Sequence, residues 1–382
     1  MRDGMIPLFK VALAPDAADR VREVIGTAVL GHGPRVEEFE DALRARVGTP
    51  HLATVNNGTS GLHLALRLAT SPPGSNPPGD GDRGEVLTTA LTFEATNWAI
   101  LANGFRVRWV DVDPGTLNMD LDDLAKKISP ATRAIMVVHW AGHPVDVERL
   151  ARVLDDAEAA HGFRPPVIED CAQAWGTTLR GTPLGNHGNY CVFSFHATKH
   201  LACGAGGMLV TPDEESLRRA LRLRFFGIDR RADRVNGDYD VPEWGYNFYL
   251  GEIAAAIGLA NLETVADRVA LHRRNAAHFD EHLAGVPGLE PTARPEGEES
   301  SFWLYPVKVE RRADFIRKLA DAGIQASAVV RRNDTHTCLP PDAAEALPNL
   351  DAVHDRVVHV PVGWWLSEED RAHVVATIRS GW

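Results

Sequence analysis

Lys199 stands five residues past Ser194, where the apolar run "YCVFSF" (190–195) ends, and glycines follow at 204, 206 and 207. A lysine is by default a solvated surface charge. An apolar approach and a glycine-rich exit describe instead a lysine carried out of a core strand into a partly dry site. There its pKa is depressed and its amine can form a Schiff base. The glycines then read as backbone that passes close to a ligand.

Two other strand ends carry matching groups. The run "HLATVN" (51–56) leads into "NNGTSG" (56–61), where Gly58 lets the backbone approach a ligand and Thr59 and Ser60 supply hydroxyls. The helix starting there adds free N–H groups, which suits a phosphate; Thr or Ser at that place also suits a plain helix cap. The run "PVIED" (166–170) finishes in Glu169 and Asp170, with Gln173 three residues beyond. A carboxylate at the end of an apolar strand is costly unless paired. It either caps a helix or holds a cation such as a protonated pyridine nitrogen. Each feature has an ordinary explanation alone. A phosphate cradle, a carboxylate for a ring nitrogen and a Schiff-base lysine in one chain are what pyridoxal 5′-phosphate (PLP) requires.

The elements that must position these groups follow an alternating pattern. Short apolar runs at 51–56, 85–89, 106–113, 134–140, 166–170, 190–195 and 206–210 read as strands. Leu62, Ala65, Leu66 and Ala69 recur at helical spacing, as do Ile253, Ala256, Ile257 and Ala260, and 146–162 reads as a further helix. Strands alternating with helices predict an α/β fold with a mostly parallel sheet covered on both faces. Near residue 262 the texture changes. Residues 263–295 read as helical and charged, 302–310 as a strand, 312–324 and 367–380 as helices, which predicts a smaller α+β domain over 263–382. The stretch 70–85, "TSPPGSNPPGDGDRGE", reads as an exposed loop.

The bulk properties narrow the function classes. The 382 residues carry a net charge of −12, which excludes the basic footprint of a nucleic-acid or anionic-membrane surface. Cys171, Cys191, Cys203 and Cys338 lack CxxC spacing, so no metal site and no disulfide framework is expected. No leader-like or membrane-length apolar run is seen, and a cytoplasmic protein is the expectation.

At these residues the sequence resembles the sugar aminotransferases of the DegT/DnrJ/EryC1/StrS group. The likeness is carried by "GPRVEEFE" (33–40), "NNGTSGLHLAL" (56–66), "TFEATNWAI" (92–100), "VIEDCAQAWG" (167–176), "FSFHATKHL" (193–201) and "GYNFYLGEIAAAIGLANLE" (245–263). The resemblance implies the fold-type-I PLP-dependent architecture: a large domain over 1–262 with an N-terminal arm and a mostly parallel seven-stranded sheet, and a small C-terminal domain over 263–382. By motif it makes Lys199 the Schiff-base lysine and acid/base. Asp170 pairs with the pyridine nitrogen and Gln173 lies near the ring hydroxyl. Gly58, Thr59, Ser60 and Ser194 meet the phosphate, and Phe93 stacks on the ring. Asn247 reaches the phosphate bound in the other copy of a homodimer.

A narrower likeness, in "RLRFFGIDR" (222–230) and "VVRRNDTHTCL" (329–339), points to enzymes that aminate a nucleotide-linked 4-keto sugar, a pentose or deoxyhexose, in antibiotic pathways. The implied donor is an amino acid, glutamate. A sugar diphosphonucleotide needs cations, and Arg230, Arg231, Arg331 and Arg332, with His336, are the candidates. Alternatives are a 3-keto-sugar aminotransferase, a sugar dehydrase and a non-catalytic regulatory protein of the same fold. His200, next to Lys199, reads as a structural histidine.

Overall fold

The structure is a computed structural model and describes residues 4–75, 83–230, 237, 239–339 and 345–382; Arg231 and the middle of the 70–85 stretch lie outside these. The strands are β1 (Leu52–Val55), β2 (Glu85–Thr89), β3 (Arg106–Val110), β4 (Thr132–Val138), β5 (Val167–Asp170), β6 (Thr178–Leu179), β7 (Thr182–Pro183), β8 (Tyr190–Ser194), β9 (Gly207–Val210), β10 (Leu289–Pro291), β11 (Glu298–Glu299), β12 (Tyr305–Val309) and β13 (Val357–Val360). The helices are α1 (Ala17–Thr27), α2 (Pro34–Val47), α3 (Gly58–Thr70), α4 (Glu94–Ala102), α5 (Leu121–Lys127), α6 (Val147–His161), α7 (Glu214–Leu223), α8 (Glu252–Leu262), α9 (Val265–Leu283), α10 (Arg312–Asp321), α11 (Pro348–Val353) and α12 (Glu368–Arg379).

Seven strands form one sheet in the order β1-β9-β8-β5-β4-β2-β3. The pairs β8·β5, β5·β4, β4·β2 and β2·β3 are parallel, whereas β9 runs antiparallel to both β1 and β8. The mostly parallel sheet is therefore as the alternating pattern predicts. Strands β1, β2, β5 and β9 are buried along their whole length, as strands covered on both faces must be. The edge strand β3 instead begins with exposed Arg106, a charge that discourages further pairing.

Parallel β5 and β8, together with β1, point their carboxyl ends the same way, and the loops that carry chemistry gather there. Helix termini are fixed by side chains. The Glu252 carboxylate, almost fully buried, accepts the amides of Gly33, Arg35 and Val36 and so caps α2, which has Pro34 in its first turn. Helix α8 meets α2 closely at Gly258, where a Cβ would lie 2.6 Å from Phe39 Cζ. Beneath the sheet, buried Glu40 and Arg224 pair at 2.5 Å, and Arg224 also donates to the Thr54 carbonyl at 2.6 Å. Removing one partner of such a pair strands the other's charge.

The C-terminal residues build a second, antiparallel sheet in the order β10-β12-β13. Phe279, Val307, Phe315, Leu319, Val358 and Val374 close a core of its own beside α9, α10 and α12. Ile6 joins that core and bridges to Ile324, and the Leu8 amide donates to Gln325 Oε1 at 3.0 Å. One sequence expectation is corrected. The helical reading of 263–295 ends at Leu283, because Gly285, Pro287 and Gly288 break the helix before β10.

Candidate active site

The end of β1 turns at once into α3. Asn57 caps this helix, its side-chain oxygen accepting the Ser60 amide at 2.8 Å, and the Gly61 amide makes the first intrahelical bond, to the Asn57 carbonyl. The amides of Gly58 and Thr59 therefore have no intrahelical acceptor, and they sit at the positive end of the helix dipole. A Cβ on Gly58 would lie 3.1 Å from Ser194 Cβ, so the cradle and the end of β8 touch. Ser194, partly exposed, offers its Oγ to the same place and accepts the His196 amide at 3.3 Å. The close approaches at Gly206 and Gly207 are made by the protein itself. A Cβ on Gly207 would lie 2.8 Å from the Phe193 carbonyl and 2.9 Å from Asn57 C, and one on Gly206 would strike Cys203 Sγ. These two glycines let β9 pack against the turn that begins α3 and against the loop after β8.

Glu169 and Asp170 end β5 side by side and face different surroundings. Glu169 Oε2 accepts from His139 Nε2 at 2.9 Å and Oε1 from Asn189 Nδ2 at 2.7 Å. His139 Nδ1 accepts the Val145 amide, so its proton sits on Nε2. Burial raises the Glu169 pKa, but these hydrogen bonds outweigh it and hold the carboxyl below its ordinary value. His139, Glu169 and Cys171 bring ligand-type atoms within 4.8 Å of one another, yet both ring nitrogens of His139 are already engaged. Asp170 accepts from Thr96 Oγ1 at 2.7 Å and from the Ala172 amide at 3.0 Å. Burial pushes its carboxyl above the ordinary value, against the pull of those donors and of the Lys199 charge. A cation brought against it would reverse that balance.

Gln173 Oε1 accepts the Ala141 amide at 2.7 Å, which leaves the NH₂ group as its side chain's donor. Phe93 ends the turn before α4 with 60% of its surface exposed, free to cover a flat ligand.

Lys199 is half-buried, and its Nζ lies 3.4 Å from the centroid of the Trp303 ring. Trp303 is held by its indole N–H, which donates to the Thr198 carbonyl at 2.9 Å, and by Phe9 at 5.2 Å between ring centroids. Burial lowers the Lys199 pKa to about 7, against the pull of Asp170. A neutral amine is thus available near neutral pH, as a nucleophile needs. His200 is buried, meets His272 edge-on at 4.6 Å, and is kept neutral by burial first and by the neighbouring cations. His272 Nδ1 in turn donates to the Phe302 carbonyl at 2.8 Å. His200 belongs to the packing behind Lys199.

The expected substrate cations lie apart from this floor. Arg230 donates to the His32 carbonyl at 3.0 Å and lies over Phe225. Exposed Arg331 folds onto Thr335. Arg332 is paired with Asp334 at 2.7 Å and with Asp351. His336 Nε2 lies 3.4 Å from Glu94 and its ring 5.6 Å from Trp98. Asn247, exposed, accepts the Asn56 side chain on its carbonyl and leaves its own side chain at the surface. Thr96, Trp303 and Asn333 are site residues that the sequence reading missed; nothing local marks them.

The sequence pattern of the DegT/DnrJ/EryC1/StrS aminotransferase family matches residues 12–379. The chain belongs to this family. It is an aminotransferase, and the family is PLP-dependent. Among solved structures it is similar to AtS13 from Actinomadura melliaura, with 60% identity, all of both chains covered and a TM-score of 0.95. It is also similar to the sugar aminotransferase CalS13 from Micromonospora echinospora, with 58% identity, 99% of this chain and 100% of the other covered, and a TM-score of 0.95. A further relative is dTDP-4-dehydro-2,3,6-trideoxy-D-glucose 4-aminotransferase from Saccharopolyspora spinosa, 31% identical over 85% of this chain and 83% of that one. No helix among the described residues is long and apolar enough to cross a membrane.

Proposed function

We propose that the protein is a cytoplasmic, homodimeric aminotransferase that moves an amino group from glutamate to a nucleotide-linked 4-keto sugar of an antibiotic pathway. The sugar in this reading is a TDP-linked pentose or deoxyhexose. The observation that carries the cofactor chemistry is the convergence of Lys199, Asp170 and the open amides of α3 at neighbouring strand ends. The substrate reading is supported by the two sugar aminotransferases among the relatives.

The donor set fits PLP: a helix N-terminus with hydroxyls for a phosphate, a buried carboxylate for a ring nitrogen, and an amine of lowered pKa for an aldehyde. When bound, the cofactor supplies an electron sink. The chain's own residues do the rest. The amides of Gly58 and Thr59 and the hydroxyls of Thr59, Ser60 and Ser194 bind the phosphate. Asp170 accepts the ring N–H, Gln173 donates toward the ring hydroxyl, and Phe93 covers the ring and excludes water. Lys199 Nζ takes the proton from the donor's α-carbon and in the second half-reaction delivers one to the sugar carbon that receives nitrogen. Asn247 reaches the phosphate of the partner's site. Among the cations, Arg230 and Arg331 serve the diphosphate, because Arg332 is already neutralised by two carboxylates.

The test is to mix the PLP-loaded protein with amino sugar nucleotides and an α-keto acid. A keto sugar formed from 4-amino nucleotides, and not from 3-amino ones, is expected. Activity confined to 3-amino sugars, loss of the sugar hydroxyl without amino transfer, or no reaction with any of them would overturn this reading.

A further inference from the structure

Asp170 is held by a hydroxyl relay that has a direction. Thr96 Oγ1 donates to Asp170 Oδ2 at 2.7 Å, and Thr92 Oγ1 lies 2.9 Å from Thr96 Oγ1; both threonines are about fully buried, at 1% exposure. A hydroxyl has one hydrogen, and Thr96 gives it to a carboxylate, so Thr92 must donate to Thr96. Asn333, with no exposed surface, donates to the Thr92 carbonyl at 2.8 Å and accepts from Asn97 Nδ2 at 2.9 Å. Its amide donates to the Ala90 carbonyl. The loop that carries Arg331 and His336 is thereby fastened to the turn that carries Thr92 and Phe93 and, through Asn97, to α4, which carries Thr96.

We propose that Thr96, oriented by Thr92, is a positioning residue that keeps Asp170 an anionic acceptor aimed at the ring nitrogen, and so sets cofactor affinity and the pH range over which the cofactor is held. The proposal rests on the reading of Asp170 given above. Thr96 is the strongest of the influences that offset the burial of Asp170, followed by the Ala172 amide, Lys199 and His139. The titratable groups around Asp170 are Lys199 from the loop after β8, His139 from the end of β4, and the chain neighbours Glu169 and Cys171. Removing the Thr96 hydroxyl removes a group that lowers the Asp170 pKa, so that pKa rises further. Affinity for the cofactor is then lost as pH falls through the raised value and regained as pH increases.

The experiment titrates cofactor-free protein with PLP, following absorbance, from mildly acid to mildly alkaline pH. In Thr96→Val the affinity falls about tenfold at neutral pH, the scale of one hydrogen bond to a charged group. The loss deepens in acid and shrinks in alkali. Thr96→Ser restores binding, and Thr92→Val, which keeps the Asp170 contact, gives a smaller loss of the same pH sign. In an Asp170→Asn background Thr96→Val costs nothing more. Wild-type affinity and pH profile in Thr96→Val overturn the proposal and leave the reading of Asp170 intact. So does an equal loss at every pH that persists with Asp170→Asn, which marks a merely structural role. Undiminished binding by Asp170→Asn alone overturns the reading and the proposal together. Should Thr96→Val fail to fold, as thermal melting would reveal, the same pH comparison on Thr92→Val decides; there too, a wild-type profile overturns the proposal.

Discussion

The floor of the site and its mouth use polar groups in opposite ways. On the floor, where β1, β5 and β8 end, buried side chains saturate one another and leave particular atoms open: the Gly58 and Thr59 amides, the NH₂ of Gln173 and the amine of Lys199. At the proposed substrate side, the cations of the 329–339 loop are already engaged, Arg331 with Thr335 and Arg332 with Asp334 and with Asp351 of α11. A preorganised floor suits a cofactor held through many turnovers, because the cost of orienting its groups is met in folding. A mouth of self-paired side chains suits a substrate that must enter and leave.

The contrast can be broken or sharpened by substitution. Lys199→Ala should lower turnover by about 10³-fold or more, the scale of removing a general acid–base that is also the nucleophile. Substantial residual turnover in the amino-transfer assay would mean that the floor is not where the proton moves. Next in size, Glu169→Ala should cost about 3–5 kcal/mol in urea unfolding, because His139 and Asn189 lose a buried charged acceptor. A cost below about 1 kcal/mol would show that the floor is not preorganised by this network.

The pH dependence is a sharper probe. With the Lys199 pKa lowered to about 7, the neutral amine is dominant above that pH and falls about tenfold per unit below it. The rate at which cofactor-free protein takes up PLP should rise through pH 7 and level off, not climb toward the ordinary lysine value. The sign for stability follows from the same shift. The unfolded lysine binds more protons than the folded one between about 7 and its ordinary value, so the cost that burying this group imposes on folding is present below about 7 and is relieved as pH rises through that window. At the mouth, Arg331→Ala should raise KM for the keto-sugar nucleotide about five- to tenfold and leave KM for the amino donor unchanged. Arg332→Ala should change it less than about threefold, since its guanidinium is already held by Asp334 and Asp351 and is not free for a diphosphate. Equal effects from the two arginines would erase the distinction drawn between them.

The floor was the more legible half. Each large-sheet strand read from an apolar run lies within about two or three residues of its observed bounds, because strands of a covered sheet are built mostly of apolar residues. Asp170 and Lys199 stood out because a charge at the end of such a run demands a partner. The groups that tune them were not legible. Thr96 is one threonine of a helix start, Asn333 lies 236 residues from its partner Asn97, and Trp303 is 105 residues from the Thr198 carbonyl that fixes it. Only the fold makes these neighbours. Gly206 and Gly207 show the same limit: a glycine reports a close approach but not what approaches. The helix overrun past Leu283 came from weighing charge above Pro287 and Gly288, which are the stronger local signal.

The pairing of β1 with β9 has a consequence for how the protein is made. Leu52 faces Val210 and Val55 faces Gly207, contacts between chain segments that are synthesised far apart. Strand β8, its return strand β9 and the lysine between them are local and can assemble as a hairpin. The phosphate cradle exists only once β1 has closed against that hairpin. Capture of the cofactor is therefore a marker that this long-range pairing is complete.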